Sequence, residues 1–107
     1  MLAYASRGAL AFALAGMLSV PALAADANSV TIKNFNFSPM QLTVAAGTSV
    51  TWRNDDEEPH TVTSTTGLFR SGAVDGGETF TFKFAKVGTY KYVCSIHPQM
   101  TGTIIVK

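Results

Sequence analysis

From Val30 to the C-terminus the apolar residues of this chain recur at every second position, interrupted at short intervals by turn residues. Val30 and Ile32 alternate with Thr31 and Lys33, Leu42 and Val44 follow Pro39, and Ala46-Gly47 turns the chain into Val50 and Trp52. Further on, Phe80, Phe82 and Phe84 alternate with Thr81 and Lys83, Tyr90 and Tyr92 share a parity with Cys94, and Gly102 to Val106 reads as a last strand. A period of two puts successive side chains on opposite faces of a strand, whereas a helix needs apolar residues three and four apart. His60 to Thr66, rich in Thr and Val, also suits a strand. Gly67, Gly72 and Gly76-Gly77 make the middle a looping region. The pattern predicts an all-β fold of about seven short strands, a sandwich or barrel. Its expected core holds Trp52, Phe80, Phe82, Phe84, Tyr90 and Tyr92, with Met40 as a further filler.

The N-terminal segment breaks this pattern. Arg7 is its only charge, Gly8 to Val20 is an uncharged run that is apolar but for Ser19, and Pro21-Ala22-Leu23-Ala24 closes it with small residues. That order reads as a secretory signal cleaved after Ala24. A permanent anchor is the alternative, because the uncharged run reaches the roughly 17 to 25 residues a spanning helix needs. Pro21 and the Ala-x-Ala site favour cleavage. The expected organisation is a signal peptide over residues 1–24 and one domain over residues 25–107, periplasmic and without stable membrane insertion.

Eight Lys and Arg stand against seven Asp and Glu, and loss of Arg7 with the signal leaves the domain formally neutral. This excludes a nucleic-acid binder that works by neutralising phosphates. The single Cys makes no internal disulfide and rules out multi-cysteine zinc and iron–sulfur frameworks. Cys94 is then a buried filler, a nucleophile, or one soft ligand among other residue types. A domain this small hides only about 60 to 65% of its unfolded surface, so a bound metal would add usefully to its stability.

The chemistry is concentrated in Cys94-Ser95-Ile96-His97-Pro98-Gln99-Met100. A thiolate, an imidazole and a thioether at this spacing can curl round one point in a tight loop. The chain has two histidines, and the other, His60, opens an earlier strand. Two His, one Cys and a weak Met form the ligand set of a blue-copper electron-transfer site: sulfur holds Cu(I), imidazole suits both oxidation states, and an axial Met tunes the potential. Asp55-Asp56-Glu57-Glu58, just before His60, reads either as a solvated loop or as a charged rim that steers a basic partner.

The residues around these ligands carry a family resemblance. Phe37-Ser38-Pro39, Val50-Thr51-Trp52-Arg53-Asn54, Pro59-His60-Thr61-Val62, Gly77-Glu78-Thr79-Phe80, Gly88-Thr89-Tyr90-Lys91-Tyr92-Val93-Cys94 and Met100-Thr101-Gly102 resemble the cupredoxin pattern over essentially the whole mature chain. The short Cys-x2-His-x2-Met loop is similar to that of amicyanins, whereas plastocyanins and pseudoazurins place more residues between His and Met. The resemblance implies a Greek-key β-sandwich with one type 1 copper ion at one end, held by His60, Cys94, His97 and axial Met100. It implies a monomeric electron carrier, not an enzyme. Its partners would be redox proteins, such as a c-type cytochrome or a periplasmic dehydrogenase or oxidase, docking near His97 beside Ile96, Pro98 and Gln99. Thr61 stands where many relatives have Asn; its N–H can reach the Cys94 sulfur and its hydroxyl the neighbouring loop.

Two other readings use the same residues. A copper-binding or delivery module would need no redox turnover, and a small hydrolase would use Cys94 as nucleophile with His60 or His97 as base. Zinc accepts the same Cys and His ligands and competes for the site.

Overall fold

The computed structural model describes residues 28–107; the expected signal peptide, residues 1–24, lies outside the described residues. Eight strands follow one another: β1 (Ser29–Lys33), β2 (Asn36–Ser38), β3 (Gln41–Val44), β4 (Thr48–Asn54), β5 (Thr63–Ser64), β6 (Thr79–Phe84), β7 (Gly88–Cys94) and β8 (His97–Val106). They form two four-stranded sheets in the orders β2-β1-β4-β6 and β3-β8-β7-β5. After β2 the chain changes sheet at each step until β7, so both sheets combine antiparallel neighbours with one parallel pair, β1 with β4 and β3 with β8. The predicted all-β sandwich is the fold observed.

Alternation along the strands decides what lies between the sheets. Val30 and Ile32 of β1, Val50 and Trp52 of β4, Tyr92 and Cys94 of β7, and Met100, Ile104 and Val106 of β8 are all buried. Trp52 is at the centre, its ring 5.4 Å from that of Tyr92, 5.7 Å from Phe80 and 6.0 Å from Phe69. Aromatic pairs at such separations add about 0.5–1.5 kcal/mol each beyond the area they bury.

Three expectations are modified. Phe80, Phe82 and Tyr90 are only partly buried against the core; β6, which carries the two phenylalanines, is an edge strand and covered on one side only. Met40 is 60% exposed. It sits in the bend before β3, where its carbonyl accepts the N–H of Thr103 at 2.8 Å and strand parity does not govern its side chain. The segment from His60 to Thr66 contributes only Thr63 and Ser64 to a ladder. His60 and Val62 pair instead with the glycine-punctuated loop, His60 exchanging backbone bonds with Val74 at 3.1 and 2.7 Å and Val62 accepting from Ser71 at 3.0 Å. Gly67 and Gly72, at φ +85° and +71°, let that loop fold back.

Candidate metal centre

Strands β7 and β8 form a hairpin closed by two residues, Ser95 and Ile96, with Cys94 opposite His97 and a bulge between Val93 and Cys94. A bulge re-aims side chains locally, and here it falls at the sulfur. Cys94 is fully buried, and Met100 lies on the same inward-facing parity of β8, also buried. His60 arrives from the other direction. It is held by its backbone pairing with Val74, and its side chain is fully buried.

The donor atoms converge. Cys94 Sγ lies 3.8 Å from His60 Nδ1 and 3.6 Å from His97 Nδ1, and one ligand atom from each of the three residues falls within 4.8 Å of the others. The N–H of Thr61 points at the same sulfur, 3.3 Å away. A backbone N–H aimed at sulfur fixes where that sulfur sits relative to the loop that carries His60. The Thr61 hydroxyl accepts the Ser95 N–H at 2.7 Å and meets the Ser95 and Thr63 hydroxyls at 2.9 and 3.0 Å. Thr61 thus ties the His60 loop to the Cys94 hairpin, as expected.

Three residues to which the sequence reading assigned no contact with the ligands complete the surroundings. Asn54 continues the inward parity of Val50 and Trp52 and is fully buried. Its Nδ2 donates to the carbonyls of Glu58 and Val74 at 2.8 and 2.9 Å, and its Oδ1 accepts the Asp56 N–H at 2.8 Å. A polar side chain at an inward strand position is the one sign of this that the sequence offers. Asp56, four residues before His60, meets its Nε2 at 2.9 Å. Burial pushes the Asp56 carboxyl up, but the N–H groups of Phe35 and Asn34 together with His60 outweigh it and leave it below the usual carboxylate range. Phe35, from the β1–β2 turn, lays its ring against both imidazoles.

The His60–Asp56 contact sets the imidazole tautomer. With Nε2–H donated to the carboxylate, Nδ1 keeps its lone pair for a metal. Two imidazole nitrogens, a buried sulfur with an N–H directed at it and a buried thioether form a donor set suited to a soft or borderline ion. Fold and site together define a small two-sheet metalloprotein with one mononuclear centre at the end of the sandwich.

The family model described as "Cupredoxin-like domain" matches residues 7–106. The chain is 33% identical to "Amicyanin-alpha" of Methylorubrum extorquens over 92% of its own length and 97% of that protein. It is 34% identical to a plastocyanin of Scenedesmus fuscus over 66% of its own length and 86% of that one. Among solved structures it is similar to a purple cupredoxin from Nitrosopumilus maritimus, with a TM-score of 0.68, 34% identity, and 74% of this chain and 98% of that one covered. The chain belongs to the cupredoxin-like family. One copper ion, the family's cofactor, fits the donors found here.

Proposed function

We propose that this protein is an exported, periplasmic electron carrier, not an enzyme, in which His60, Cys94, His97 and Met100 would hold one type 1 copper ion. The observation that supports this reading is the convergence of His60, Cys94 and His97 within 4.8 Å, with Met100 buried on the face that carries Cys94. When bound, copper supplies a one-electron Cu(II)/Cu(I) couple. The chain's own contribution is rigidity. His60 is held by Asp56 and by the Val74 pairing, Cys94 by the Thr61 N–H, and the hairpin by Thr61 and Ser95, so little needs to move when the charge changes.

His97 is the one donor of the three that is not fully buried. Beside it Ile96 is 52% exposed, and Pro98 and Gln99 are also exposed. This apolar rim is where a redox protein, such as a c-type cytochrome or a periplasmic dehydrogenase or oxidase, docks against a monomer; weak redox encounters need only a small interface. The mature domain begins after Ala24.

The visible spectrum of the protein loaded with Cu(II) and oxidised tests the reading. An intense band in the orange-red region, bleached by reduction and absent from Cys94→Ser, is the expected result. A colourless one-to-one copper complex would instead indicate storage or delivery, and a protein that binds no copper would refute the metal reading.

A further inference from the structure

The acidic run before His60 is not a uniform charged rim. Asp55 turns outward onto Arg53, 2.8 Å away. Asp56 turns inward, and its side chain is 8% exposed. Its Oδ1 accepts the N–H of Asn34 at 2.7 Å, and its Oδ2 accepts the N–H of Phe35 and faces His60 Nε2, both at 2.9 Å. One carboxylate therefore joins the β1–β2 turn to a ligand histidine.

That turn is unusual. Asn34 and Phe35 have φ of 53° and 60°. Asn tolerates the left-handed region, but a bulky residue such as Phe is strained there. The two N–H bonds to Asp56 oppose the strain. The result is that the Phe35 ring stands edge-on to His60 and His97, with centroids 4.9 and 4.8 Å away and interplanar angles of 90° and 81°. The ring is 37% exposed, so it lies between the imidazoles and solvent.

We propose that Asp56 and Phe35 are positioning residues of the metal centre: Asp56 fixes the tautomer and plane of His60 and holds the left-handed turn, and that turn lays Phe35 against both imidazoles so that neither can rotate. The inference rests on copper ligation by His60 and His97 as set out above. Asp56 also places a negative charge next to His60, and Phe35 keeps water from the ring edges. The two groups therefore act on the potential in known directions. A negative charge favours Cu(II), and a dry surrounding favours the less charged Cu(I) state.

Two substitutions separate the parts. Phe35→Gly keeps the turn, because glycine adopts that φ without strain, and removes the ring. Asp56→Asn puts an NH2 group opposite donors, either the Phe35 N–H and the His60 Nε2–H or the Asn34 N–H. In the metal-free protein, Asp56→Asn is expected to speed hydrogen exchange at the Asn34 and Phe35 amides by at least about tenfold. The imidazole nitrogen shifts of His60 are expected to change from one tautomer to a mixture. In the copper-loaded protein, both substitutions change the ratio of the two thiolate charge-transfer bands. The reduction potential falls in Phe35→Gly and rises in Asp56→Asn, and Asp56→Glu returns spectrum and potential towards wild type.

A wild-type band ratio and potential in Phe35→Gly would overturn the role of the ring, and unchanged exchange with a single His60 tautomer in Asp56→Asn would overturn that of the carboxylate. Should Asp56→Asn not fold, Phe35→Gly still decides the part of the ring, since it alters a partly exposed turn residue, and Asp56→Glu, which keeps the charge but shifts it, decides that of the carboxylate by the same exchange and tautomer readouts. A wild-type protein that never turns blue rejects ligation and the clamp together. A blue wild type with indifferent variants rejects the clamp alone.

Discussion

The space that a side chain at Gly102 would fill is taken by the ring of Tyr92. The two residues are opposite each other in the β7–β8 ladder, and a Cβ at 102 would fall 2.3 Å from both Cζ and the hydroxyl oxygen of Tyr92. The ring cannot swing away, because it is fully buried between Trp52 and Phe37, with centroids 5.4 and 4.7 Å distant. Gly102→Ala is therefore expected to destabilise the protein by about 1–3 kcal/mol, the usual cost of overpacking a close-packed core. Chemical denaturation of the metal-free protein measures it; a midpoint equal to that of wild type would show that the sheet opens to admit the methyl group.

The hydroxyl of Tyr92 is buried and, like the indole N–H of Trp52, has no hydrogen-bond partner among the described residues. Burial pushes its pKa from 10.0 up to about 12, with a small offset from the nearby Trp52 N–H. The folded state thus holds the neutral form more tightly than the unfolded chain does. The resulting stability is fully present below the unfolded value of 10.0 and is lost as pH rises towards about 12. It amounts to about 2–3 kcal/mol. Denaturant midpoints across that alkaline window should fall for wild type and fall less for Tyr92→Phe. At neutral pH, Tyr92→Phe should be neutral or slightly stabilising, since it removes an unsatisfied group.

Met100→Gln should keep the blue colour and lower the reduction potential, because an amide oxygen favours Cu(II) over the thioether it replaces. Met40→Leu should leave the potential where it is, since Met40 is mostly solvent-exposed. Voltammetry of both variants checks the pair; a potential that answers to Met40 and not to Met100 would reverse the axial assignment.

Thr61→Val should leave the N–H bond to the Cys94 sulfur in place and hence the colour. It deprives the Ser95 N–H, now 2.7 Å from the Thr61 hydroxyl, of its acceptor. Losing such a bond at an exposed hairpin residue costs about 0.5–1.5 kcal/mol. Thermal melts of the metal-free variant, together with its copper spectrum, separate the structural cost from any effect on the sulfur.

The sandwich was legible because β1, β4, β7 and β8 each bury one parity and expose much of the other, and the family resemblance is spread along the same strands. His60, Cys94 and His97 were legible because the chain has so few soft or imidazole donors. Phe35 and Asp56 were not. Their roles depend on a left-handed turn and on which of four consecutive acids faces inward, and neither leaves a periodic trace. Asp56 differs from Asp55 only in where the chain bends after Asn54, a bend held by the Asp56 N–H donating to the Asn54 side chain. The short extent of β5 was hidden for a similar reason: the partner of His60 is an irregular loop, and Thr and Val suit that pairing as well as a ladder.

The placement of the donors along the chain also sets an order of events. Cys94, His97 and Met100 share one hairpin closed by two residues, whereas His60 is 34 positions from Cys94. A hairpin of this kind closes in about 1–10 μs. The parallel pairs β1–β4 and β3–β8 join segments far apart in sequence and close much later. A folding chain therefore offers the sulfur and one imidazole early and the buried second imidazole last. Colour that develops only with the slowest folding phase in a stopped-flow experiment would show it, and colour in the fastest phase would contradict it. The copper centre would then serve as a record that the two sheets have met.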